Sequence, residues 1–308
     1  MPIRTFLSED TTSAALNTKA HAAEHCAIDP ESLHALNSAV GRQVLVTRSA
    51  KRLALYTVAA RIDVAGPAAR VGTAGLARVE RPTGEPPAPK LKAALETDFL
   101  GGETTAPVRL TEELLGRAAT GLAVMAPHGG RIEPHTDDQA RAVYKLLAKQ
   151  RKPARAWIAQ GFNPAGAHSC WHITASEISE RSFPRLGTLF GRGASRGPFA
   201  HAVAFHGQND SDAIIVGGGL PQDAPHTALK TTLADRLRDA LREVTEHPPA
   251  VEVRRRGPLA GIERANIVNR VTVRGNGIQL EQPAAVRDDD EQRAAVVRAV
   301  AAFYAELI

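Results

Sequence analysis

Residues 121–136 read GLAVMAPHGGRIEPHT. The run GLAVMA has the length and apolar content of a buried strand, and the two glycines after His128 end it in a bend. From Thr136 to Gln150 the spacing becomes helical: Ala140, Val143, Tyr144 and Leu147 share one face, and Thr136 with Gln139 makes a capping-box pattern. A buried strand passing at once into an amphipathic helix is the repeating unit of an α/β domain with a largely parallel sheet.

That texture runs on to the carboxyl terminus. The strand candidates RAWIAQ, HAVAF, AIIVG, VEVRR and NGIQLE alternate with helical patterns. Leu229, Leu233, Leu237, Leu241 and Val244 trace one helix, and Val296, Val297, Val300, Phe303, Tyr304 and Leu307 trace a terminal one. Upstream the pattern changes. Between Gly41 and Val79, the stretches RQVLVTR, RLALYTVAARIDV and ARVGTAGLARV mix β-prone residues with turn residues, which predicts a small β-rich domain. The segment ERPTGEPPAPKLKAALETDFLGGETTAP is rich in Pro, Gly and charge and reads as a linker. The expected division is a flexible leader over 1–22, a β-rich domain over 23–85, a linker over 86–105 and an α/β domain over 106–308.

Composition narrows the function classes. With 43% hydrophobic and 23% charged residues, the chain is far from the disordered and fibrous classes. MPIRTFLSEDTTSAALNTKAH lacks the apolar run of a secretory signal, so a cytoplasmic location as synthesised is expected. No stretch approaches the roughly 18 apolar residues of a membrane span. Cys26 and Cys170 lie far apart without CxxC spacing, which argues against a disulfide framework or a thiolate zinc site and predicts two buried or half-buried thiols. A net charge of +5 favours a polyanionic partner. Aromatic residues are only 4% of the chain, which leaves few platforms for stacking single-stranded nucleic acid.

Three segments carry candidate chemistry. In PHGGRIEPHT, His128 follows an apolar strand and Glu133 lies five positions on, across two glycines that let both side chains turn toward one ion. In AFHGQND, His206 ends the run HAVAF as His128 ends GLAVMAP, and each is followed by glycine. Two imidazoles and a carboxylate suit zinc and leave its fourth position for a reactive water. In GIQLEQP, strand alternation puts Ile278 and Leu280 on one side and Gln279 and Glu281 on the other, so Glu281 is the candidate general base and acid beside the metal. The bland readings are a turn with a solvated carboxylate, a structurally satisfied histidine and an edge-strand surface glutamate. His172 in CWHITAS and Arg270 in NIVNRVT are weaker candidates for substrate binding, Arg270 because its planar fork suits a carboxylate.

Taken together, APHGGRIEPHTDDQA, CWHITASEIS, HAVAFHG, AIIVGGGLP, NIVNRVT and GIQLEQPAAVR resemble the poly-γ-glutamate hydrolase family in order and spacing, over roughly Gly121 to Arg287. The resemblance implies a zinc carboxypeptidase-like α/β fold, its mixed, largely parallel sheet flanked by helices, here preceded by a small barrel-like β-rich domain. It implies one catalytic zinc held by His128, Glu133 and His206, with Glu281 as general base and acid toward a zinc-activated water. It also implies an anionic substrate joined by γ-glutamyl amide bonds. Members carried by phages cut such polymers, and a phage origin would imply release by lysis. The amino-terminal β-rich domain lies outside the resemblance, and no secretion signal is expected in the opening residues. Two other readings stay open: a metallo-amidase for another anionic peptide, and a polyanion- or nucleic-acid-binding protein on a degenerate hydrolase scaffold. Oligomeric state is not legible in the residues.

Overall fold

The computed structural model describes the chain apart from residues 20, 65, 80–90, 102–105, 191–195 and 220–222. It divides into two compact units, Met1–Leu110 with Phe162–Ser182, and Thr111–Gly161 with Phe183–Ile308.

The first unit is built on a closed barrel of β1 (Ile3–Glu9), β2 (His25–Ile28), β3 (Gln43–Ser49), β4 (Arg52–Arg61), β5 (Ala68–Val71) and β6 (Leu91–Glu96), in the order β1-β5-β2-β4-β3-β6. Closure leaves no open sheet edge. Leu7, Val44, Val46, Tyr56, Val58, Val71 and Leu95 fill its core. Three expectations are corrected here. Residues 3–9, expected within a flexible leader, form β1, because Leu7 is fully buried and the strand pairs with both β5 and β6. Leu91–Glu96, expected within the linker, is β6, with Leu91, Ala93 and Leu95 alternating into the core. The linker's remaining Pro-rich part over 86–90 and its Gly-rich part over 102–105 lie outside the described residues. Within ARVGTAGLARV only Ala68–Val71 is strand; Thr73–Val79 is a helix that buries Leu76 and Val79, three residues apart.

The second unit is organised by a seven-stranded sheet of β7 (Arg109–Leu115), β8 (Leu122–Gly130), β9 (Ala154–Phe162), β10 (His201–Gln208), β11 (Ile214–Gly217), β12 (Val251–Val253) and β13 (Ile278–Pro283). The order is β12-β11-β13-β10-β8-β9-β7. β8, β9, β10 and β13 run parallel, while β11 is antiparallel to β13. Six of the seven strands are those the apolar runs predict. β7 escapes that reading because RLTEELL, at a sheet edge, is half-buried and charged; its Glu112 accepts the indole N–H of Trp157 at 2.7 Å.

Alternation along the central strands separates two faces. Leu122, Val124, Val203, Phe205, Ile278 and Leu280 pack with the helices Thr136–Lys149, Ala224–Arg242 and Asp290–Leu307 in one core. The intervening residues, His206, Gln279 and Glu281 among them, belong to the other face. Thr136 and Gln139 form no capping box. His135 is the N-cap in the left-handed region, the Thr136 hydroxyl donates to Glu133 O at 2.8 Å, and Gln139 pairs its amide with that of Gln282. Among the described residues no helix is long and apolar enough to cross a membrane.

Candidate metal centre

β8 stays apolar from Leu122 to Ala126, then its register against β9 slips between Ala126 and Gly129, so that His128 sits at the irregularity. A side chain at Gly129 has no room, since a Cβ there would lie 2.5 Å from Asp137 Cβ and 2.9 Å from Ala159 O. The Glu133 amide donates to His128 O at 2.8 Å, which folds the loop back and returns the carboxylate to the histidine. Asp137 fixes the turn from outside, accepting from Gly130 N at 3.1 Å and from Gln160 Nε2 at 2.6 Å. Glycines and one anchored carboxylate thus bend this strand end.

His206 arrives from β10. Its Nδ1 is 3.2 Å from His128 Nδ1 and 3.6 Å from Glu133 Oε2, and His128 Nδ1 is 2.9 Å from Glu133 Oε1. All three side chains are buried, and their ligand atoms lie within 4.8 Å of one another. Gly207 N donates to Glu133 Oε2 at 2.9 Å, tying the carboxylate to the second histidine's strand. The residues fit a metal ion. Tetrahedral zinc with nitrogen and oxygen ligands at about 2.0–2.1 Å has ligand–ligand edges of about 3.3 Å, close to the 3.2 Å between the two imidazole nitrogens. Two nitrogens and a carboxylate packed this closely in a buried place also have the electron-rich character that a cation offsets.

Glu281 lies beside this group. In the parallel pairing of β10 and β13 it is in register with His206, so both side chains leave the same face of the sheet. Gln279 Nε2 donates to Glu281 Oε1 at 2.8 Å, and Asn266 Nδ2 donates to Gln279 Oε1 at 2.8 Å. Only a glycine fits at 261, where a Cβ would come within 2.2 Å of the Gln279 amide and φ is +60°. Burial lowers the Arg287 guanidinium from its ordinary value, and the Glu133, Asp288 and Glu281 carboxylates oppose that shift. The sequence signal for Gln279 was its place on the Glu281 side of the strand. Nothing local distinguishes Asn266, Asp137, Gln160 or Arg287 from surface polar residues.

The two expected substrate contacts fall in different units. Arg270 ends the short helix Ile267–Arg270 in the second unit, its guanidinium carbon 5.4 Å from the Phe190 ring centroid. His172 belongs to the first unit, where its Nδ1 is 2.5 Å from Glu24 Oε1 and its ring stacks on His168 at 4.4 Å. The cysteines are free and buried. Burial pushes the Cys170 thiol up to about 11 and raises Cys26 further, which keeps both protonated and unreactive.

The sequence pattern of poly-gamma-glutamate hydrolase matches residues 112–294, which include His128, Glu133, His206 and Glu281. The chain belongs to the poly-gamma-glutamate hydrolase family. It is accordingly a metal-dependent hydrolase, and strands β1 to β6 precede the part that the family pattern covers. Among solved structures, the hydrolase is similar to a bacteriophage poly-gamma-glutamate hydrolase, at 23% identity over 66% of this chain and 91% of that one, with a TM-score of 0.50. It is also similar to a metallo-carboxypeptidase from Pseudomonas aeruginosa, at 13% identity over 99% of this chain and 88% of that one, with a TM-score of 0.40. None of the curated proteins matches the chain.

Proposed function

We propose that this hydrolase uses zinc, held by His128, Glu133 and His206, to cleave γ-glutamyl amide bonds in poly-γ-glutamate or a similar anionic polymer. The observation that carries the reading is the convergence of two imidazoles and a carboxylate from β8, its following loop and β10, with Glu281 in register beside them. An ion bound there supplies Lewis acidity, polarising an amide carbonyl and making water acidic enough to attack at neutral pH. Glu281 takes a proton from the attacking water as the carbon–oxygen bond forms. It then passes that proton to the departing amine as the carbon–nitrogen bond breaks. Gln279 keeps the carboxylate aimed by holding one of its oxygens. Arg270, whose guanidinium packs on Phe190, is the proposed grip for a substrate side carboxylate. His172, paired with Glu24 inside the other unit, is not needed by this reading. The net charge of +5 favours the approach of a polyanion.

The test is size analysis of poly-γ-glutamate after incubation with the zinc-loaded, the chelator-treated and the zinc-restored protein. The expected result is shortening that chelation abolishes and zinc restores. A polymer of unchanged length with all three preparations would remove the substrate assignment, and shortening that survives chelation would remove the metal.

A further inference from the structure

One buried guanidinium touches the chain next to three of the site residues. Arg287 follows β13 in the short helix Ala284–Asp288 and is 4% exposed. Its Nη1 donates to the carbonyl of Pro134, the neighbour of Glu133, at 2.5 Å. Its Nε donates to the carbonyl of Gln282, the neighbour of Glu281, at 3.2 Å. The same group packs over Gly207, the neighbour of His206, so closely that a Cβ there would lie 2.6 Å from Cζ and 2.8 Å from both Nε and Nη2. Gly207 N in turn donates to the Glu133 carboxylate. The Arg287 backbone is itself pinned by Arg293, whose Nη1 donates to its carbonyl at 2.5 Å.

We propose that Arg287 is a positioning residue that fixes the spacing between the His128–Glu133 loop, β10 and β13, and so the separation of the metal ligands from one another and from Glu281. The inference rests on the metal-dependent reading above. Its physical basis is the shape of the group. A guanidinium is a rigid plane with donors in fixed directions, so it constrains several backbone segments at once, whereas a lysine ammonium is one compact point on a flexible stem. Burying that charge is costly unless its donors are used, and two of them are spent on carbonyls adjoining the site. Gly207 completes the device, because any side chain there would push the plane away.

The test uses the full chain with Arg287→Lys, Arg287→Gln and, as an independent route, Gly207→Ala, which keeps the guanidinium and displaces it. Three quantities are measured: zinc affinity by competition with a chromogenic chelator, the visible spectrum of the cobalt-substituted protein, and kcat and KM on poly-γ-glutamate. Circular dichroism of the metal-free proteins reports folding. The expected result for each folded variant is zinc binding weakened about 10–100-fold, the usual cost of losing an outer partner of a metal site. The cobalt spectrum should change, and kcat should fall with KM little changed. Should Arg287→Lys not fold, Gly207→Ala carries the same expectation. Folded variants that bind zinc as tightly as the wild type with an unchanged cobalt spectrum would overturn the inference. A wild-type protein that binds no zinc would instead overturn the metal-dependent reading itself.

Discussion

Glu281 reaches its position through a relay of side-chain amides, Asn266 to Gln279 to the carboxylate, on the polar side of a strand whose other side is core. Metal binding and proton transfer should therefore separate by mutation. Glu281→Gln keeps the volume and the strand fit but removes the base. Zinc content should stay near that of the wild type, and turnover should fall by about two to four orders of magnitude, the range of a positioned general acid and base. His206→Ala should lose the metal as well as activity. Metal analysis beside initial rates decides it: loss of zinc in Glu281→Gln would make Glu281 a ligand, and full activity would remove it from the mechanism. At this scale the residue types were legible from strand ends and alternation. The relay was not, because an asparagine or glutamine shows its partner only once the chain is folded.

The bend between β8 and the helix Thr136–Lys149 is the element on which the ligand set depends. Its glycines are steric requirements, not merely flexible points. A methyl group at position 129 would have to displace the Asp137 side chain and the Ala159 carbonyl. Gly129→Ala should therefore destabilise the protein by about 1–3 kcal/mol, as overpacking typically does, and weaken zinc binding by moving His128. Thermal unfolding and chelator competition would show both effects; an unchanged melting temperature would mean the loop gives way at no cost. The sequence predicted this strand, turn and helix from hydrophobic period alone. It misread the helix start, because Thr136 and Gln139, which match a capping box, are used instead for the Glu133 carbonyl and for the buried amide pair with Gln282. β7 was invisible for a related reason, since a charged edge strand has no apolar run to detect.

At the scale of the whole molecule, the segment Phe162–Ser182 groups with the barrel rather than with the strands that flank it in sequence. Glu177 meets His25, His172 meets Glu24, and Gln43 bonds both Ser179 and Ser182. A fragment beginning near Ala106 would strip those partners away. It should be cut by limited proteolysis within 162–182 and melt below the full chain; resistance equal to the full chain would show that the segment stands without the barrel. Acid stability is a second consequence. Burial pushes the Glu24 carboxyl up, but the His172 hydrogen bond and charge, the Arg78 charge and the Thr174 amide outweigh it and hold the group at about 2, against an ordinary 4.5. A lowered carboxyl pKa gives stability that is complete above 4.5 and is lost as pH falls from there toward 2, on the order of 3 kcal/mol. Melting temperature should drop across that window, and less so in Glu24→Gln; identical slopes would exclude the linkage. The sequence by itself determined the α/β class, six of the seven sheet strands and the residue types gathered at the metal centre, because burial imprints a period on neighbouring residues. Only the tertiary structure decided that β1 and β6 close a barrel, that Phe162–Ser182 joins it, and that Arg287 reaches the loop of Glu133 across 153 positions. Such contacts depend on which segments topology brings together, and local spacing carries no record of that.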